Sequence, residues 1–339
     1  MDEAGNIIIS HQTSAMYWRH VGSSRVASMR PSDADPLADC VAPSMSLDLF
    51  NADFPSLSKP PIHLLIPDKC QTRSCSKLRT HLAPARLPEG SFYQIGRRLF
   101  VCSPELTLMQ LARFMSPVQL IEATSEMLSD YYFNPQTGGL EKRRCRITSA
   151  KQIKEYARHS ACGGWLKTDN AVDLAFPSAR SPMEIKAAMA MALKRPLGAY
   201  AFPPLVLNYP IPLDGRRNLV EQDDFYVDIA FPDYVVGVEY FGIDYHADSA
   251  RDRRRINGLR ALGWEILTLE KSQLYNRIAF HTFMRQLAEV LNQARMQMPG
   301  ARNPSTSGEG LPVRKVVMPP DSIVNDPRYL RLRADLGLL

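Results

Sequence analysis

The sequence predicts an α/β protein in two parts: a mixed sheet flanked by helices over residues 181–293, preceded by a smaller mixed α/β module over 1–180. Three observations predict it. Runs rich in β-branched and aromatic residues alternate with segments whose apolar residues recur three and four apart, the pattern of strands interleaved with amphipathic helices. At 339 residues the chain is longer than one typical hydrophobic core serves. Near residue 180 short, loosely patterned segments give way to strongly patterned ones.

In the first part, SHQTSAMYWRHV (10–21) reads as a short helix opened by a Ser cap, and a Pro/Ser/Asp-rich loop follows to about residue 60. IHLLIP (62–67) and SFYQIGRRLFVCSP (91–104) read as strands, separated by the basic segment KCQTRSCSKLRTHLAPAR. LTLMQLARFM and SPVQLIEATSEMLSDYY have helical spacing. Beyond the linker NPQTGGLEKRRCR, ITSAKQIKEYARHSA and the segment ending LAFPSAR read as further short helices.

In the second part, SPMEIKAAMAMALKRP (181–196) is a helix with Ser181 at its cap and Pro182 in its first turn. PLVLNYPI (204–211), FYVDIAF (225–231) and YVVGVEYF (234–241) are strands. SARDRRRINGLRALG (249–263) is a helix with the stripe Ile256, Leu259 and Leu262, ended by Gly263. WEILTL (264–269) is a strand and SQLYNRIAFHTFMRQLAEVLNQ (272–293) an amphipathic helix. The Pro, Gly and Ser clusters that follow predict a mobile tail over 294–339.

A formal net charge of +6 has the sign expected for a phosphate-bearing partner. No run approaches the length of an apolar membrane span and the opening residues lack a signal-peptide pattern, so the expectation is a cytoplasmic protein without membrane contact. The six scattered cysteines read as reduced thiols.

Chemistry concentrates on the strand pair 225–231 and 234–241. With Pro232-Asp233 as a two-residue connection and Phe231 opposite Tyr234, Asp228 opposes Gly237, and Glu239 lies diagonal to Asp228, with Cα atoms roughly 7 to 8 Å apart. Asp228, Ala230, Gly237, Glu239 and Phe241 then share one face, and the opposite face is core. Two ionised carboxylates this close need a cation between them, and Ala230 and Gly237 leave room for one. Hard oxygen donors favour Mg²⁺ or Mn²⁺. Two unrelated acids on a partly solvated edge would give the same spacing.

Asp228 and Glu239, with Glu184 on a preceding helix, resemble the PD-(D/E)xK nuclease pattern. More narrowly, YVDIAFPDYVVGVEYFGIDYH followed by RDRRRINGLRALGWEILTL resembles uncharacterised endonuclease-like domains related to the very-short-patch repair (Vsr) endonuclease, over about residues 181–293. The resemblance implies a restriction-endonuclease-like fold and metal-dependent hydrolysis of DNA phosphodiesters. Asp228 would be the central metal ligand, Glu239 the second acid, Glu184 the supporting acid and His246 the catalytic histidine. Asp252 and Arg255 match an acidic and a basic position on the helix after the loop. Phe241 departs from the pattern, which carries Lys, Asp or His there, so the rival expectation is a DNA-binding or toxin-antitoxin-type regulatory protein that keeps the fold without cutting.

Arg251, Arg253, Arg254 and Arg255, next to these acids, are the candidate phosphate contacts. The segment Lys69 to Arg86, with Arg97 and Arg98, is a second basic surface. HQTSAMYWRH, IHLLIP and LFVCSPELTLMQLA are loosely similar to the N-terminal part of AbiEi-like proteins. Besides DNA, the partners left open are a second copy of the chain and a partner protein of a defence or toxin-antitoxin system.

Overall fold

The computed structural model describes residues 5–32, 35–40, 60–160, 162–213, 225–242, 249–297 and 314–339, without the side chains of 249–252. The chain divides into two units, Met1–Pro177 and Ser178–Leu339. Each is a mixed α/β structure with helices packed against its sheet. Among the described residues no helix is long and apolar enough to cross a membrane.

In the first unit, β1 (Ile7–Ile9), β2 (Ile62–Ile66), β3 (Leu78–Leu82), β4 (Phe92–Gln94) and β5 (Leu99–Cys102) form a sheet in the order β3-β2-β1-β5-β4. β1 lies at its centre, parallel to β5 and antiparallel to β2, and its three isoleucines are buried. The segment expected as one strand over 91–104 is two, hinged at Gly96. The basic segment contains β3, whose Leu78 and Thr80 face inward while Arg79 is exposed. Helices α1 (His11–His20), α2 (Ser23–Ser28), α3 (Pro104–Leu111) and α4 (Pro117–Met127) follow their strands, α3 and α4 opening on the Ser103-Pro104 and Ser116-Pro117 caps. A small hairpin, β6 (Tyr131–Phe133) and β7 (Leu140–Lys142), precedes α5 (Ala150–His159) and α6 (Trp165–Asp173).

In the second unit, α7 (Pro182–Ala192) leads to a sheet of β8 (Val206–Pro210), β9 (Tyr226–Phe231), β10 (Val236–Phe241) and β11 (Glu265–Glu270), ordered β11-β10-β9-β8. The crossover from β10 to its parallel neighbour β11 runs through α8 (Ser249–Ala261). Leu259 and Leu262 pack in one buried cluster with Val227, Ala230, Trp264 and Ile266. The last long helix is broken at Asn276 into α9 (Lys271–Tyr275) and α10 (Arg277–Gln297).

The expectation of a mobile tail is corrected for residues 314–339. They include α11 (Pro327–Asp335), whose Tyr329, Leu332 and Arg333 are buried, with Leu336 and Leu338 after them. Arg333 donates to the carbonyls of Leu274, Tyr275 and Leu338, each at 2.8 Å. Gly198, at φ +91°, admits this close packing, because a Cβ there would stand 2.3 Å from the Arg328 carbonyl oxygen.

Candidate functional site

The β9–β10 connection decides where the acids stand. Pro232 holds φ near its fixed value, which suits neither favoured two-residue hairpin turn. The chain instead makes a 3₁₀ turn over Pro232–Tyr234 and places Val235 in the left-handed region, at φ 54°. The connection is therefore longer than the two residues expected, and the register shifts. Val236 pairs with Phe231, Gly237 with Ala230 and Val238 with Ile229, so the next position sets Asp228 opposite Glu239 rather than diagonal to it. Side chains there take over from the ladder: the Asp228 amide donates to Glu239 Oε1 (3.2 Å) and the Tyr240 amide to Asp228 Oδ2 (3.0 Å).

The expected space beside Gly237 is absent as well. A Cβ on Gly237 would lie 2.5 Å from Val227 Cγ1 and 2.9 Å from Ile266 Cδ1, and Ala230 is fully buried in the same cluster. Both faces of the hairpin are core, and the acids sit at the end where β9 begins and β10 ends.

Glu184 reaches this place from α7. Its position follows from Ser-Pro-Met-Glu: Ser181 Oγ accepts from the Glu184 amide and donates to Oε1, while Oε2 accepts from the Arg180 amide. Asn208 Nδ2, from β8, donates to the same Oε2 at 2.6 Å, and its Oδ1 is buried without a hydrogen-bond partner among the described residues. Asn208 has φ 50°, a conformation Asn tolerates better than most residues.

Burial dominates the electrostatics. It pushes the Glu184 and Glu239 carboxyls up, with the Asp228 charge adding to the rise in both, to about 7. Burial also raises Asp228, against the opposing pull of Arg255, the Tyr240 amide and Arg180. Asp228 is thus within electrostatic reach of both Glu184 and Glu239.

The cation between Asp228 and Glu239 is a guanidinium. Arg255 Nε donates to Glu239 Oε2 at 2.8 Å, Nη2 stands 3.5 Å from Asp228 Oδ1 and also donates to the Tyr226 carbonyl. Arg255 is half-buried, so its expected place among the exposed phosphate contacts is corrected: its charge is committed to the acids. Arg253 and Arg254 are exposed on α8. A second guanidinium, Arg180, lies 4.1 Å over the Tyr226 ring and lowers Asp228.

Among the described residues no group of three or more His, Cys, Asp or Glu side chains has metal-holding geometry. The donors are nonetheless hard oxygens, the chemistry of Mg²⁺ and Mn²⁺, and Asp228 Oδ1 has a partner too distant for a strong hydrogen bond. His246 and the side chains of Arg251 and Asp252 lie outside the described residues. Phe241 closes β10 opposite Glu270 of β11 and is half-buried. Arg255 as counter-ion, Arg180, Ser181 and Asn208 are the site residues that pattern reasoning missed.

Comparison of the chain with models of protein families, with curated proteins and with solved structures finds no match in any of the three.

Proposed function

We infer that the second unit is a metal-dependent endonuclease that hydrolyses DNA phosphodiester bonds, built on a restriction-endonuclease-like sheet. The observation that carries this reading is the convergence of Glu184, Asp228 and Glu239, from α7, β9 and β10, in a buried cluster whose carboxyls are all shifted toward protonation. Three acids that share, among the described residues, one ion-paired cation in Arg255 favour a further cation. Asp228 and Glu239 would hold Mg²⁺ or Mn²⁺, with Glu184 in support. Such a metal, when bound, supplies Lewis-acid polarisation of a phosphoryl oxygen and a more acidic water. Arg255 pairs with Asp228 and Glu239 and opposes their rise toward protonation, and Arg253 and Arg254 offer exposed charge for the strand backbone. His246 would carry the proton, a role that rests on the resemblance.

One specific observation favours a second reading. The 2.8 Å Arg255–Glu239 pair already compensates the acid most deeply buried on β10, as a permanent internal counter-ion would in a DNA-binding regulator that does not cut. Supercoiled plasmid separates the two. Mg²⁺- or Mn²⁺-dependent nicking that disappears in Asp228→Ala and Glu239→Ala is the expected result. Nicking that persists in both variants removes the site assignment, and salt-sensitive duplex binding without nicking selects the regulator.

A further inference from the structure

The first unit carries a cavity of mixed polar and apolar lining, about 520 Å³ in volume, within the size range of small-molecule sites. His11, Thr80, His81, Gln110, Arg113 and Phe114 contribute its polar and aromatic lining, and among the described residues that line it there is no Asp or Glu. The His11 and His81 rings stack with centroids 3.6 Å apart and planes 22° from parallel. His63 extends this layer, its Nδ1 hydrogen-bonded to His81 Nε2 at 2.8 Å. Phe114, 59% exposed, stands 5.7 Å from the His11 ring and 6.2 Å from that of His81.

We propose that this cavity binds a nucleotide, with the base against the His11–His81 stack and Phe114 and the phosphate beside Arg113. Three features converge on that class of ligand. An exposed phenyl ring beside stacked imidazoles is a platform for a planar heteroaromatic ring, which any base can use through its π-face. Burial holds His11 down to about 2, with His81, His63 and Arg113 adding to it, and His81 to about 4, with His63, Arg79 and Arg113 adding to it, so both rings are driven toward the neutral form that stacks on a base. His11 also has φ 50°, in the left-handed region that His adopts more readily than most residues. It is held there by Gln110 Oε1 on its amide (2.8 Å) and by the Ser10 Oγ contact to Nδ1 (3.0 Å). Held there, its imidazole stacks on that of His81.

The same chemistry has two sources, a free mononucleotide or a nucleotide at the end of a single strand. Calorimetric titration of the full chain with AMP, CMP, inorganic phosphate and a 5′-phosphorylated single-stranded hexanucleotide tests the proposal and separates the sources. AMP and CMP are expected to bind, inorganic phosphate at least tenfold more weakly, and Phe114→Ala to lose about tenfold in affinity, within the range for one stacked base. Arg113→Gln should weaken AMP comparably; both side chains are exposed, so neither variant threatens the fold. Tight binding of the hexanucleotide alone, still sensitive to both variants, supports the proposal and identifies a strand end as the source. Silence of all nucleotide probes, phosphate binding as tight as AMP, or affinities untouched by both variants would overturn it. Asp228→Ala should leave these titrations unchanged, so the result stands apart from the nuclease reading.

Discussion

The two units bury ionisable side chains of opposite type. In the first, His11, His63 and His81 lie together with no acid beside them among the described residues, and burial drives all three downward, toward the neutral imidazole. In the second, burial drives Glu184, Asp228 and Glu239 upward, toward the neutral carboxyl, but a guanidinium is threaded between two of them. The same desolvation therefore produces an uncharged aromatic layer in one place and a cluster held partly ionised in the other. Only the second arrangement stores negative charge that a cation can use.

Each unit also buries one arginine among carbonyl oxygens, and the quality of that solvation differs. Arg143 meets the carbonyls of Trp18, Val21 and Ser129 at 2.9, 3.3 and 3.5 Å. Arg333 has three carbonyls at 2.8 Å. Orphaning a buried acceptor costs about 1 to 3 kcal/mol, so Arg333→Met should cost about 4 kcal/mol and Arg143→Met about half as much. Urea unfolding of the two variants checks the order, and an equal or larger loss for Arg143→Met breaks it.

Next in size is Arg255→Met, which leaves Glu239 buried and unpaired at a cost of about 3 kcal/mol at pH 8. At pH 5 both glutamates can take a proton and the loss should shrink markedly. Added Mg²⁺ should raise the melting temperature of the variant more than that of the wild type, because the removed guanidinium no longer competes. A variant that loses the same stability at both pH values would show that Arg255 acts by packing alone.

Why some of this was legible in the sequence and some was not comes down to particular residues. The β9, β10, α8 and β11 elements were legible because their β-branched runs and the Leu259–Leu262 stripe are long enough to show a period. β1 is three residues long, and β3 alternates Leu78 and Thr80 with Arg79 and His81 inside a basic run, so neither announces itself by hydrophobicity. The stacking of His11 on His81 depends on how helix α1 meets strand β3 and was beyond reach. Asp228, Glu239 and Glu184 stood out by residue type. Arg255 did not stand out among its neighbours, although its spacing of four and seven from Leu259 and Leu262 marks the inward face of α8. The α11 helix hid for the related reason that PRYLRLRAD reads as solvated while its last arginine, Arg333, is fully buried.

The contrast between imidazoles and carboxylates implies opposite pH trends. A histidine lowered in the native state gives stability that is present above its unfolded value of 6.5 and lost as pH falls below it. His11, facing His63, His81 and Arg113, and His81, facing His63, Arg79 and Arg113, should each cost the first unit about 2 kcal/mol between pH 7 and pH 5. A raised carboxyl gives stability that is present below its unfolded value of 4.5 and lost as pH rises through about 7. Glu184 should therefore favour the second unit by about 2 kcal/mol over the same fall in pH. Peptide-resolved hydrogen exchange reads the units separately. Parallel trends would undo the comparison, and Glu184→Gln should flatten the second trend alone.

The smallest effect separates capping from charge. Ser116 and Ser181 both open helices before a proline and accept a hydrogen bond from the residue three further on, at 3.2 Å in each case. Either serine changed to alanine should lose about 1 kcal/mol of helix capping. Ser116 faces Gln119, which does not titrate, so its loss should be the same at pH 5 and pH 8. Ser181 also donates to Glu184 Oε1 and so steadies an ionised carboxylate that burial and Asp228 disfavour. Ser181→Ala should accordingly cost more at pH 8 than at pH 5, while Ser116→Ala stays level. Identical pH profiles for the two would mean that Ser181 serves the helix and contributes nothing to the charge of the acid cluster.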